Sequence, residues 1–158
     1  MPFTVNDFQD LVQLLAWLRG EMMEARYYRN FSRFGRLARR LRLVDASRLG
    51  DLLEDAVDAG QLTQEQADVV RLADLVLTGR RAEDGAEVYL LIEVSAALDI
   101  DDVQRVTERA QLMQRLGRPA LPVVAGQRID PEAERMARAT GVSLVLDGRL
   151  DAPPAAVA

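Results

Sequence analysis

The chain has 158 residues, 49% apolar and 28% charged, with a net charge of −5. A chain of this length buries roughly 68–70% of its unfolded surface, which suits one compact domain without a disulfide or metal staple. There is no Cys, no His and no Lys, since all 20 basic residues are Arg, so disulfides, thiolate or imidazole metal sites, Ser-His-Asp triads and lysine chemistry are excluded and only Asp and Glu remain for acid–base work.

Residues 4–41 read as helix, with a break or close contact allowed at Gly20. Phe8, Leu11, Leu15, Leu18 and Met22 step by threes and fours, a heptad seam of about two and a half repeats. The seam predicts a short coiled coil over residues 1–20 that makes a homodimer or higher homo-oligomer; the alternative is a helix folded back on its own core. Trp17 suits either a core or a dimer contact. Met23, Tyr27, Phe31, Phe34, Ala38 and Leu41 continue an apolar stripe assigned to the core. Arg26, Arg29, Arg33, Arg36 and Arg40 recur at helical spacing and form a positive stripe. Residues 20–42 hold seven Arg against Glu21 and Glu24, a net +5, which leaves −10 for the remainder. Such asymmetry is a signal for an anionic partner such as nucleic acid; a solvated face paired with the chain's acids is the alternative.

Residues 41–44 suggest a short strand, and 47–59 a helix capped by Asp45 or Ser47 and stopped by Gly60. Thr63 to Gln66 has capping-box spacing, which starts another helix. Residues 72–77 and 87–95 read as two strands joined around the Asp84-Gly85 turn, the second almost unbroken in apolar character. Asp99, Asp101 and Asp102 crowd the first turn of a helix over 99–116. Capping and the helix dipole account for these acids as well as a metal site does. Residues 120–125 form a third strand, with Pro122 favouring an edge or an irregular start. A helix from Asp130-Pro131 to Thr140 and a strand over 142–146 follow, and 151–158 reads as a disordered tail. The order implies an α/β fold, a mixed sheet flanked by helices. No apolar run reaches the ~20 residues of a membrane span, and the acidic start lacks a signal-peptide n-region, so the expected location is the cytoplasm without membrane partners.

Two acids stand out. Asp74 interrupts the apolar run RLADLVL, and Glu93 interrupts LLIEVS. A carboxylate on a central strand is costly unless paired, hydrogen-bonded or bound to metal. If the two strands form a hairpin, the carboxylates converge at one end, where hard oxygen ligands suit Mg²⁺ or Mn²⁺. Strand-end acids that meet solvent or an Arg are the alternative.

These residues resemble the PD-(D/E)xK nuclease superfamily, the restriction-endonuclease-like fold. In that family an Asp on one strand of a hairpin precedes E-x-K on the next, and an earlier helix often carries another Glu. The matching positions are Asp74, then Glu93-Val94-Ser95, with Glu24 as the earlier acid. The resemblance spans about residues 20–146 and is nearest to bacterial members with a coiled coil ahead of the domain. It implies an oligomerising helix over 1–20, a nuclease-like domain over 21–150, and Asp74, Glu93 and Glu24 as metal ligands. Asp74 and Glu93 would be the catalytic pair. Ser95 stands where the family has its lysine, and Arg105 or Arg109 is left to supply positive charge. Arg stays protonated and is a poor base. The expectation is therefore lost or altered catalysis in an oligomeric assembly or nucleic-acid-associated protein, requiring no cofactor. An active Mg²⁺- or Mn²⁺-dependent endonuclease and a protein-interaction module are the rival readings.

Overall fold

A strand that is apolar at consecutive positions needs cover on both faces, and VYLLI in Glu87–Leu98 is such a run. The computed structural model, which describes residues 5–29, 34–146 and 149–151, supplies that cover. In chain order the elements are α1 (Val5–Arg29), β1 (Ala38–Leu43), α2 (Ala46–Asp58), α3 (Gln64–Arg71), β2 (Leu75–Arg81), β3 (Glu87–Leu98), α4 (Ile100–Met113), β4 (Ala120–Ile129), α5 (Pro131–Thr140), β5 (Ser143–Leu146) and β6 (Arg149–Asp151). The strands form one sheet in sequential order from β1 to β6. β3, β4 and β5 run parallel, and the β1–β2, β2–β3 and β5–β6 pairs are antiparallel. The fold is α/β, a mixed sheet with helices packed on it.

Strand alternation sorts the core into two layers. Val76, Tyr89, Leu91, Val124 and Leu144 face one way and pack with Leu53, Val70, Val106, Met113 and Ala137 of the four helices α2 to α5. Leu75, Leu77, Val88, Leu90, Ile92, Val123 and Val145 face the other way and pack with Phe34 and Ala38. α1 runs against β3. Leu90, Leu91 and Ile92 are fully buried, and each such side chain contributes about 1.5–3 kcal/mol of transfer free energy.

Local signals set most boundaries. The Asp45 carboxylate accepts from the Arg48 N–H and caps α2. Thr63 and Gln66 form the expected capping box of α3. Asp99 and Asp102 form another at α4, and Gly117 adopts the left-handed conformation beyond the last turn.

Four expectations need correction. The N-terminal helix passes through Gly20 unbroken but ends by Arg29, and residues 38–41 are strand instead of helix. Phe34 and Ala38 are core as expected, but in a turn and a strand. The spacing 34, 38, 41 mimicked a helix, whereas Leu41 and Leu43 alternating with Arg40 and Arg42 is the period-two pattern that prevails. Second, β2 starts at Leu75, so Asp74 stands at its entrance and not within it, while Leu72 caps α3 and is exposed. Third, Pro122 lies in an interior strand paired to β3; pairing with β5 starts only at Val123, so the missing N–H leaves no gap in that ladder. Fourth, Asp151 belongs to β6, and the rest of the expected tail, residues 152–158, lies outside the described residues. Among the described residues no helix is long and apolar enough to cross a membrane.

Gly126 fixes the approach of β4 to β3 beside Ser95. A Cβ built there would lie 2.1 Å from the Ser95 carbonyl oxygen and 3.1 Å from Leu98 Cγ. Backbone cannot yield as a flexible side chain can. Gly126→Ala is therefore expected to destabilise the domain by about 1–3 kcal/mol, read as a lower urea midpoint at unchanged m-value.

Candidate functional site

Asp74 and Glu93 reach the same face of the sheet by strand parity. Asp74 is two residues before Val76, and Glu93 two after Leu91, and both apolar residues face α2 to α5. The β2–β3 register pairs Leu75 with Ile92, so its continuation sets Asp74 opposite Glu93. The Val94 N–H donates to Asp74 Oδ2 at 2.8 Å, which holds the entrance of β2 against β3.

α4 lies over this face and supplies the cations. Arg109 Nη1 donates to Glu93 Oε2 at 2.5 Å, and both side chains are at least nine-tenths buried. Arg109 Nε donates to the Val69 carbonyl oxygen at 3.1 Å, tying α4 to α3. Arg105 Nε donates to Glu93 Oε1 at 3.4 Å, and its Nη2 donates to Asp102 Oδ1. Arg105 and Arg109 are one helical turn apart, so both point to Glu93 while Asp102, three residues before Arg105, supports it. No buried side-chain N or O atom is left without a partner among the described residues.

Burial is the largest influence on each carboxyl here. It raises Asp74 above its ordinary range, against the Val94 N–H and the Arg109 and Arg105 charges, and Glu21 of α1 adds a smaller push upward. Burial and then the Asp74 charge raise Glu93, outweighing Arg109 and Arg105. Burial also raises Asp102, against the Asp99 N–H. The constellation thus sets three desolvated acids against two guanidinium groups.

Ser95, at the position where the resemblance places a lysine, donates its hydroxyl to the Ala97 carbonyl oxygen at 3.1 Å. Glu24 lies on α1 with a side chain outside the described residues; among the described residues, Glu21, three residues earlier on α1, reaches Asp74 electrostatically. The α1 position of Glu21 in the same G-E-M-M-E run was the signal available for it. Both Glu93 oxygens meet guanidinium groups and Asp74 Oδ2 accepts from a backbone N–H, so a divalent cation at Glu93 would compete with Arg109 and Arg105. Among the described residues no three acids group as ligands for a metal ion.

The expected arginine stripe does not persist as one helical face. Arg36 lies in the turn before β1 and Arg40 on β1, whereas Arg26 and Arg29 lie on α1 with side chains outside the described residues, as does the whole of Arg33. The helical period cannot continue through a turn and a strand. Arg39 stands opposite Arg80 across β1 and β2 instead, with Arg40 and Arg81 next to them in sequence, a juxtaposition that needed the strand pairing to be seen. Phe8, Leu11, Leu15, Leu18 and Met22 are all exposed on α1, as are Val12, Leu14 and Trp17.

Comparison with family models, with curated proteins and with solved structures finds no match to this chain.

The raised Asp74 carboxyl makes a signed prediction. Folding favours its protonated form, so its contribution to stability falls as pH rises from the unfolded carboxylate value, about 3.9, through the higher folded value. Asp74→Asn keeps an acceptor for the Val94 N–H and carries no charge. Its stability relative to wild type is expected to improve steadily above about pH 4, measured by thermal melts across pH. The Glu93 carboxyl, relieved of its neighbour's charge, is expected to titrate lower by ¹³C NMR. An unchanged Glu93 titration would show that the two carboxylates do not interact.

Proposed function

We propose that the chain is a nuclease-like domain of the restriction-endonuclease type whose metal chemistry is lost, and that it works as an oligomeric assembly or nucleic-acid-associated protein. One observation carries this reading. Glu93, at the position where the nuclease pattern has a metal ligand, gives both oxygens to Arg109 and Arg105. Support comes also from context: a strand entered at Asp74, a turn, a strand bearing Glu93, a helix and a parallel strand follow in the order the pattern requires. A guanidinium neutralises a carboxylate as a cation does, but it offers no open coordination position and cannot lower the pKa of a bound water. Ser95, neutral and engaged with Ala97, supplies no charge toward a scissile phosphate.

The assembly half of the reading rests on α1. Eight large apolar side chains between Phe8 and Met22 are exposed in the single chain, Phe8 by 64% and Met22 by 68%. A helix apolar on several sides is marginal alone in water and gains by packing on another copy. Two-fold association is the commonest closed solution for soluble proteins.

Three measurements test these halves. Titration with Mn²⁺, followed by paramagnetic broadening of the Val94 amide, is expected to show no saturable site at millimolar ion. Duplex and single-stranded DNA and RNA are expected to stay intact with Mg²⁺ or Mn²⁺. Cleavage that vanishes in both Asp74→Ala and Glu93→Ala would establish the active-endonuclease reading instead. For assembly, sedimentation at tens of micromolar is expected to give a dimer or larger species, and Leu11→Glu with Leu15→Glu and Leu18→Glu a folded monomer. A wild-type monomer would remove the assembly half.

A further inference from the structure

We infer that the β1–β2 end of the sheet is a binding site for closely spaced phosphate groups, held by Arg39, Arg40, Arg42 and Arg80. It does not rest on the nuclease reading. The Asp74–Glu93 pair and the Arg80–Glu87 pair lie at opposite ends of the β2–β3 hairpin, six residues or about 20 Å apart.

The register is the first argument. Ala38 pairs with Arg81 and Arg39 with Arg80, so Arg39 and Arg80 stand directly opposite on neighbouring strands. Like charges so placed repel and weaken the pairing. Glu87, opposite Arg80 on β3, offsets one of the two charges, and a bound anion would relieve the rest.

The backbone is the second argument. The register shifts between Arg39 and Arg42, and Arg40 takes φ 55°, the only non-glycine with positive φ among the described residues. A bulge re-aims a side chain, and strain at a residue with no local need for it persists where the surroundings enforce it. Gly79 permits the close approach of the strands at the bulge: a Cβ there would come within 2.9 Å of Ala38 Cβ and 3.0 Å of Leu41 Cδ2.

Space and charge are the third. A cavity of about 470 Å³ is lined by Arg39, Arg40, Arg80, Arg81, Ala82 and Gly85. An adjoining hollow of about 270 Å³ shares Arg40 and Arg80 and extends to Arg42 and Arg118. Arg40 and Arg80 thus join the two into one track. The local acids are few. Asp84 holds Arg81 at 2.7 Å, while Glu87 serves both Arg118 at 3.3 Å and Arg80 at 3.7 Å. Arg39, Arg40 and Arg42 have no ion pair among the described residues. This excess of positive charge sits on a chain whose net charge is −5. Guanidinium forks match phosphate oxygens two at a time, and adjacent forks along a track suit successive phosphates better than one isolated anion. A nucleic-acid strand and a free oligophosphate share that chemistry.

The test uses the full-length protein with three probes at 50 mM salt: a fluorescein-labelled 20-nucleotide single strand, its duplex, and tripolyphosphate. Binding is expected, and for the duplex it is expected to fall with salt at a log–log slope of about −0.9 per phosphate contacted. Arg40→Gly keeps the left-handed backbone and removes the guanidinium. It is expected to melt at or above the wild-type temperature and to bind about tenfold more weakly. Arg39→Gln with Arg80→Gln is expected to weaken binding further, and Arg138→Gln on α5 to leave it unchanged. Tighter binding of tripolyphosphate than of either oligonucleotide assigns a free oligophosphate, and the reverse assigns a nucleic-acid strand. Wild-type affinity retained in both β1–β2 variants would overturn this site without touching the reading of Glu93. No binding of any of the three probes would overturn it outright.

Discussion

A buried carboxylate on a central strand is the constraint around which the domain is arranged. Glu93 is 7% exposed and follows the fully buried run Leu90 to Ile92 along β3. Left alone it would cost several kcal/mol. Arg109 and Arg105 make the position tenable, and this fixes α4 over β3 with a defined rotation. Arg109 also reaches the Val69 carbonyl oxygen, so α3 is placed by the same side chain. Asp74, on the Val94 N–H, adds the entrance of β2. One polar cluster therefore sets four elements that apolar packing alone would leave free to slide. Replacing such a pair by apolar residues of equal volume is often neutral in stability, whereas removing one member leaves an uncompensated charge.

The hairpin of β2 and β3 has two electrically different ends. Asp74, Glu93 and Asp102 gather at one, where burial raises each carboxyl and two arginines oppose them. Arg39, Arg40, Arg42, Arg80 and Arg81 gather at the other, open to solvent. The first end is closed on itself. Its carboxylates meet arginines and a backbone N–H inside the fold. The second end carries charges with few internal partners, and its interactions are left to molecules outside the fold.

Local chemistry made much of this legible in advance. Asp45, Thr63 and Gln66, Asp99 and Gly117 each do at an element's end what their type requires, so those boundaries could be read from neighbouring residues alone. The apolar run of β3 and the Asp84-Gly85 turn gave the hairpin, and the hairpin with parity brings Asp74 and Glu93 to one face. What stayed hidden depends on contacts distant in sequence. The bulge at Arg40 arises where β1 meets Gly79, and nothing within ARRLRL announces it. The approach of Glu21 to Asp74 depends on how α1 lies on β3. Helical spacing through Phe34, Ala38 and Leu41 was a coincidence of two periods, which only the pairing of β1 with β2 separates.

The absence of Lys and His gives the Glu93 cluster its last property. Its cations are all arginines, which stay protonated throughout the range in which proteins fold. Only the carboxyls can change state. Protonating Asp74 relieves Glu93 of a neighbouring charge, but protonating Glu93 leaves Arg109 charged, buried and without its partner. A lysine in place of Arg109 could shed its proton under such burial and let Glu93 turn to another partner. An arginine cannot, so the residue that makes Glu93 tolerable in the core also ties that carboxylate to α4. On the reading proposed for this chain, catalysis and this form of internal neutralisation exclude one another at a single side chain.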